Sequence, residues 1–345
     1  MIRKPMALFI CLLVMWTSPR LHAESSDTWT IGFGSCAHQS RWQGFWTPIL
    51  KEKPDIFIFV GDNIYGDTKD EKVLRAKYGM LLGQPGFQSL RKEANVLATW
   101  DDHDYGQNDA GADYVMKEAS EKIFEEVWDL PENAPSRSRP GIYDAHIFEK
   151  NGKRLQIILL DTRFFRSPLV RLPEPVPGLG QTGQNTDPKA TMLGKAQWAW
   201  LKEQLEQPAD IRIIVSSIQV VADGHFYESW SRFPLEQKKL YQLIRDTKAN
   251  GVVIISGDRH HGEISMNPKA VGYPLHDVTS SGLNMARRDK HEEPNPYRVG
   301  NLYLRSHFGM IRVSHDDDPL ITFQVMDVRH KVQCETSVRL SELKP

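Results

Sequence analysis

Carboxylates, imidazoles, a phenol and a thiol gather in this chain in short clusters, each directly after an apolar run. "SCAH" places Cys36 and His38, "GDNIYGD" places Asp62, Asn63, Tyr65 and Asp67, and "DDHDYGQND" places Asp101, Asp102, His103, Asp104, Asn108 and Asp109. Further on, "DTR" carries Asp161 and Arg163, Gln219 follows the next run, and "GDRHHGE" carries Asp258, His260, His261 and Glu263. These side chains are a metal-ligand inventory, and no GxSxG nucleophile element competes with them. Carboxylates from several strands repel one another unless a cation lies between them. A phenol and a thiol ligate well only after losing their protons, which favours a highly charged iron centre. The hard oxygens of Asp62, Asp102 and Asp258 suit calcium, magnesium or manganese beside it. Two adjacent metals sharing a carboxylate are a standard arrangement for displacement at phosphorus.

The elements that must position these groups are legible as apolar runs. Strand character is present at 29–35, 55–60, 96–100, 154–160, 211–217 and 251–256, and again at 304–314 and 320–327. Such runs, apolar without alternation, suit strands covered on both faces. Helix-like stretches at 70–82, 120–130, 194–207 and 235–250 lie between them. Strand, helix, strand in repetition predicts an α/β domain with a mixed sheet or two stacked sheets. In open α/β sheets sites gather at the carboxyl ends of strands, so six strand ends bring their polar clusters together. The segment 164–192, rich in proline and glycine, shows no helical or strand period and reads as a lid or substrate loop.

The amino terminus has Arg3 and Lys4, an apolar run from Met6 to Trp16, and "SPRLHA" before Glu24. That is the layout of a Sec-type signal peptide over 1–23, cleaved after Ala23, which predicts a secreted or periplasmic protein without a membrane span. Cleavage removes Arg3, Lys4 and Arg20 and moves the formal charge from −1 to −4. That balance does not suggest nucleic acid or anionic membrane as a partner. The remaining 24–345 reads as a single domain. Cys36 and Cys334 stay in the mature chain, and ligation by Cys36 leaves Cys334 without a disulfide partner.

"GD-x-x-Y" at 61–65, "DDHD" at 101–104 and "GD-x-H" at 257–260 resemble the calcineurin-like metallophosphoesterases. More closely, "GSC", "TWDDHD", "LLDTR", "TMLGKAQWAWL" and "SWSRFPLEQ" resemble the PhoD-like alkaline phosphatase and phosphodiesterase branch. The resemblance implies a four-layer αββα sandwich of two mixed β-sheets with a two-metal site at one edge. It implies that Asp62 bridges the metals, that Cys36, Tyr65 and His260 bind iron(III), and that Asp102 and Asp258 stand near a second metal. Calcium is expected there, with magnesium or manganese as alternatives. His103 takes the place of the histidine that protonates the leaving oxygen, and Arg163 would clamp phosphate. The second-metal histidine usual in relatives is not evident, and Gln219 sits nearby.

Other readings of these residues stand beside that one. Tyr65 fits a core residue with a satisfied hydroxyl, Cys36 a small buried hydrophobe, and Arg163 an ion-pair partner of Asp161. His38 and Asn108 are candidate site contacts, His225 and Trp230 candidate pocket rim, and His261 with Glu263 candidate groups that orient ligands. The expected reaction is direct in-line attack by a metal-activated hydroxide on a phosphodiester or alkaline-phosphatase-type monoester. Hydrolysis of a phospholipid headgroup in the manner of a phospholipase C or D, and a secreted calcium-binding module without turnover, are the alternatives.

Overall fold

The computed structural model describes residues 28–287 and 292–344; the expected signal peptide and its cleavage point lie outside them. In chain order the strands are β1 (Thr28–Gly34), β2 (Ile56–Val60), β3 (Asn95–Thr99), β4 (Asp144–Lys150), β5 (Lys153–Leu159), β6 (Val170–Val176), β7 (Gly180–Gly183), β8 (Ile211–Ser216), β9 (Val252–Ser256), β10 (Gly262–Asn267), β11 (Leu275–Ser280), β12 (Arg298–Tyr303), β13 (His307–Ser314), β14 (Leu320–Asp327) and β15 (Val332–Arg339). The helices are α1 (Trp46–Lys51), α2 (Glu71–Leu82), α3 (Pro85–Glu93), α4 (Asp102–Tyr105), α5 (Lys117–Val127), α6 (Gly194–Leu205) and α7 (Pro234–Asp246). Among the described residues no helix is long and apolar enough to cross a membrane.

Two mixed sheets result. One runs β15-β14-β13-β1-β2-β3 and the other β12-β10-β11-β9-β8-β5-β4. Parallel pairing joins β1 to β2 and β2 to β3 in the first, and β5 to β8, β8 to β9 and β9 to β11 in the second. The strand β2 shows why a run of five apolar residues is needed. Ile56, Ile58 and Val60 join the core that also holds Ile157, Ile213 and Ile254 of the other sheet. Phe57 and Phe59 point the other way, into Leu74 and Tyr78 of α2 and Phe87 and Leu90 of α3. With period two and both faces covered, alternation disappears from the sequence. Trp198, Leu201 and Leu240 of α6 and α7 cover the second sheet, completing the four layers.

The segment 164–192 departs from expectation. It contains the hairpin β6–β7, whose register is kept at Val170–Gly183, Arg171–Thr182 and Val176–Gly180 and lost between Arg171 and Val176. Pro173 and Pro175 fall in that gap, where no ladder N–H is required of them. The hairpin is tied down by Phe226, whose N–H donates to Leu179 O at 2.6 Å and whose carbonyl accepts from Thr182 N at 2.5 Å.

Candidate metal centre

The two sheets meet where β1 and β11 end. Ser35 N donates to Ser280 O and Leu283 N to Ser35 O, at 3.0 and 3.1 Å, so the chain at Cys36 is fixed to the opposite sheet. The two "GD" glycines fit this junction. Gly61 has φ +86°, and a Cβ there would lie 2.5 Å from Asp101 Cβ; a Cβ at Gly257 would lie 2.6 Å from Ser35 Oγ. Their absent side chains let the turns after β2 and β9 close against their neighbours.

Asp62 stands at the centre. Cys36 Sγ lies 3.3 Å from its Oδ2 and the Tyr65 hydroxyl 3.4 Å from the same oxygen, while His260 Nε2 is 3.0 Å from the Tyr65 oxygen. On its other side, Oδ1 accepts His103 N at 3.4 Å. Three groups of donor atoms, each within 4.8 Å of one another, follow in a row: Cys36, Asp62 and His260; Asp62, Asp102 and His103; Asp102, Asp109 and Glu228. Asp62 belongs to the first two and Asp102 to the last two, so ligand-forming atoms run continuously through the site.

The donor set fits metal ions on evidence of its own. Asp102 Oδ1 is buried without a hydrogen-bond partner among the described residues, a costly arrangement unless a cation faces it. Cys36, Asp62, Asp109, Asp258 and His260 all have positive φ, between 52° and 68°. Non-glycine residues hold that left-handed conformation at some cost, and such positions concentrate at functional sites. Burial pushes the Cys36 thiol and the Tyr65 phenol well up, with the charge of Asp62 adding to both. Burial and the nearby Asp102 charge raise Asp62, and burial raises Asp258 to about 7. His260 is lowered to about 4 by burial and by Arg259, leaving a neutral imidazole. Asp102, by contrast, is held below the usual range: burial opposes this, but Arg163 and His103 outweigh it.

His103 and Asp67 form a pair that the sequence reading treated separately. His103 Nδ1 is 2.8 Å from Asp67 Oδ1. Burial disfavours the imidazolium, yet this bond and the Asp102 charge prevail, and His103 is raised. Its ring packs 4.2 Å from that of Tyr65, whose other face stacks on His38 at 5.1 Å. Asp104 holds the frame: its carboxylate accepts Asp62 N, Asn63 N, Asn63 Nδ2 and Asp101 N, at 3.2, 3.3, 2.6 and 2.6 Å. The spacing of Asp101 and Asp104 around a one-turn helix was the available signal for this role.

Several expectations are corrected. Arg163 is fully buried and cannot reach a phosphate in the pocket. Its Nε donates to Asp101 Oδ1 at 2.7 Å and its Nη1 to Glu228 Oε2 at 2.6 Å. Nor does its guanidinium pair with Asp161, which instead accepts Arg163 N, Phe164 N, Ile142 N and Trp100 Nε1. Trp230 and His225 are not rim residues. Trp230 is buried, donating to Ser216 Oγ at 3.0 Å, and His225 is buried with Nε2 3.1 Å from Gln219 Oε1. With its oxygen engaged there, Gln219 donates to Glu263 at 2.7 Å, and His261 lies 3.4 Å from the same carboxylate. These three stand behind the ligands as a buried polar network.

A pocket of about 530 Å³ opens over the site, lined by Asp102, His103, Asn108, Asp258 and His260. Its cations are Arg171 of the hairpin, Arg259 and Arg287. Arg171 pairs with Asp109, and Arg259 and Arg287 both reach Glu293. The guanidinium of Arg259 lies 3.7 Å over the ring of Tyr227. None of these arginines sits in a ligand-like motif, so the sequence offered no signal for them beyond Arg259's place within "GDRHHGE".

Alkaline phosphatase D of Bacillus subtilis (strain 168) is 24% identical over 277 residues, covering 67% of this chain and 46% of that protein. This chain thus spans about half the length of that relative. The solved structure of PhoD superposes with a TM-score of 0.71 at 17% identity, over 90% of this chain and 68% of that one. The purple acid phosphatase PPD1 of yellow lupin (Lupinus luteus) gives 0.62 at 10% identity, over 90% and 54%. These structures share the two-sheet metallophosphoesterase fold. The profile of the PhoD-like phosphatases matches residues 31–280, most of the described chain, and the protein belongs to that family.

Proposed function

We propose that this protein is an exported, metal-dependent phosphoester hydrolase acting first on phosphodiesters. The observation that carries the reading is the placement of Asp62 between two donor groups, thiol, phenol and imidazole on one side and Asp102 with His103 on the other. Cys36, Tyr65 and His260 would hold iron(III), Asp62 would bridge, and Asp102 and Asp258 would hold calcium, with magnesium or manganese able to replace it. Bound there, the metal pair supplies Lewis acidity toward the phosphoryl group and lowers the pKa of the attacking water.

The chain's own groups do the rest. Arg259 and Arg287 line the pocket and place positive charge beside the equatorial phosphoryl oxygens. His103, engaged through Nδ1 by Asp67, carries the proton at Nε2 that passes to the departing alkoxide. Arg163 acts from beneath, keeping Asp101 and Glu228 from adding two uncompensated charges under Asp102. The hairpin β6–β7 is the substrate loop, since Arg171, Pro175 and Thr182 form one wall of the pocket. The layout of residues 1–23 supports export.

Elemental analysis of the purified protein, joined to hydrolysis of bis(p-nitrophenyl) phosphate and p-nitrophenyl phosphate, tests the reading. Iron with a second metal, an iron–phenolate absorption band, and diester turnover abolished by chelation are expected. Calcium alone, with no turnover of either ester, would overturn it in favour of a non-catalytic module.

A further inference from the structure

Beside the metal centre lies a second, larger cavity of about 1370 Å³. The segment 284–287 separates the two: Asn284 and Ala286 line this cavity and Arg287 lines the first. Asn284 ties the partition to the site, accepting His38 N at 2.7 Å and donating to Trp42 O at 3.0 Å. Its apolar surface comes from Leu302, Leu304 and Val328, with the rings of Trp42 and Tyr303.

Two observations identify its occupant. The first is charge. Arg41, Arg305, Arg329 and Lys331 line the cavity, and among the described residues none of these four side chains has a hydrogen-bond or ion-pair partner. The carboxylate lining it, Asp327, is occupied by Arg329 N, Lys331 N and Gln333 Nε2 at 2.8, 3.0 and 2.9 Å. Four cations thus face a single carboxylate, and the positive excess would be offset by a bound anion. The second is Trp42, which is 57% exposed. Its indole lies so close over Gly44 that a Cβ there would sit 2.0 Å from Cζ2. The ring is thus backed by main chain at Gly44 while more than half of the residue is exposed, so a large apolar surface is displayed there.

We infer that this cavity binds an anionic amphiphile, its phosphate or phosphonate head among Arg41, Arg305 and Arg329 and its apolar body along Trp42, Leu302 and Leu304. Charge alone would be met by inorganic phosphate. The adjoining apolar wall and the backed indole favour a head that carries hydrocarbon. This site does not depend on hydrolysis at the metals, and its test reads binding alone.

The test is titration calorimetry of the metal-loaded protein with dodecylphosphonate below its micelle concentration, in excess inorganic phosphate that occupies the catalytic pocket. Binding that persists in phosphate is expected, and shortening the chain to butylphosphonate should weaken it roughly tenfold or more. The double variant Arg305→Ala/Arg329→Ala, both exposed positions, should lose roughly tenfold or more in affinity, since charge-assisted contacts to the head are removed. Gly44→Ala, which dislodges the indole, and Trp42→Ala should each weaken dodecylphosphonate more than butylphosphonate. Loss of binding in Asp62→Ala would assign the ligand to the metal centre and overturn the inference. So would unchanged affinity in the arginine and Trp42→Ala variants, equal binding of dodecyltrimethylammonium, or tighter binding of adenosine monophosphate, which would mark a nucleotide site instead.

Discussion

The two flanks of Asp62 are built from different chemistry. On one side, Cys36, Tyr65 and His260 offer a thiol, a phenol and an imidazole, and burial disfavours charge on all three. On the other, Asp102, Asp109 and Glu228 offer carboxylates, with Arg163 beneath as counter-charge. The first flank becomes a strong ligand set only when a highly charged ion takes the place of protons. In the second, Arg163 and His103 hold Asp102 in its charged form, and its carboxylates suit a hard ion that exchanges more readily. On the proposed assignment, one bridging carboxylate separates a tight site from a looser one.

Breaking the bridge should have the largest effect. Asp62→Ala should lose both metals by elemental analysis and cost at least about 10³-fold in diester hydrolysis, the upper range for one electrostatic contact; retention of the second metal would show that the flanks are independent. Next comes the proton. His103→Ala should keep both metals and lose about 10²-fold or more in kcat for a poor leaving group, with a smaller loss for an activated nitrophenyl ester.

The flanks can be separated with Tyr65→Phe, which should abolish the phenolate absorption band while the second metal stays, at a cost of about 10- to 100-fold in activity or iron affinity. A finer change is Asp67→Asn. Asp67 helps hold His103 above its ordinary value, and a general acid works while protonated, so activity falls as pH rises through that pKa. Removing the carboxylate lowers the pKa, and the alkaline limb of the pH–rate profile should move to lower pH.

The last effect is on stability without metal. Asp258 and Asp104 are each raised by burial to about 7 from 3.8. A carboxyl raised on folding contributes stability that is fully present below its unfolded pKa and is lost as pH rises through the folded one. Urea midpoints of the metal-free protein should therefore fall between about pH 4 and pH 7, by up to about 1.4 kcal/mol per pH unit for each group. Metal should flatten the slope through Asp258 and leave that of Asp104, which faces backbone N–H groups.

How much of this was legible in the sequence depended on how local the signal was. β2 with Asp62 and Tyr65 was readable because a doubly covered strand and its turn are contiguous. Asp102 and His260 were readable for the same reason. β11 was not, since "LHDVTS" is fully buried yet polar at four of its six positions; its Asp277 is satisfied by Ser256 and by the N–H groups of Val220 and Val221, which only the fold supplies. Arg163 was misplaced because a cation after a strand looks the same whether it faces substrate or two buried acids. Glu228, Arg171 and Arg287 reach the site from chain positions far apart, and nothing in their neighbours announces it.

Asp104 has a further consequence. By accepting N–H groups from Asp62, Asn63 and Asp101, one carboxylate rivets the turn after β2 to the turn after β3. Asp62 and His103, the proposed bridge and proton donor, therefore ride on a single stiff body, and thermal motion between them is damped without a disulfide or a longer helix. In hydrogen–deuterium exchange the amides of Asp62, Asn63 and Asp101, though they lie in turns, should exchange on the timescale of the neighbouring strands rather than that of loops.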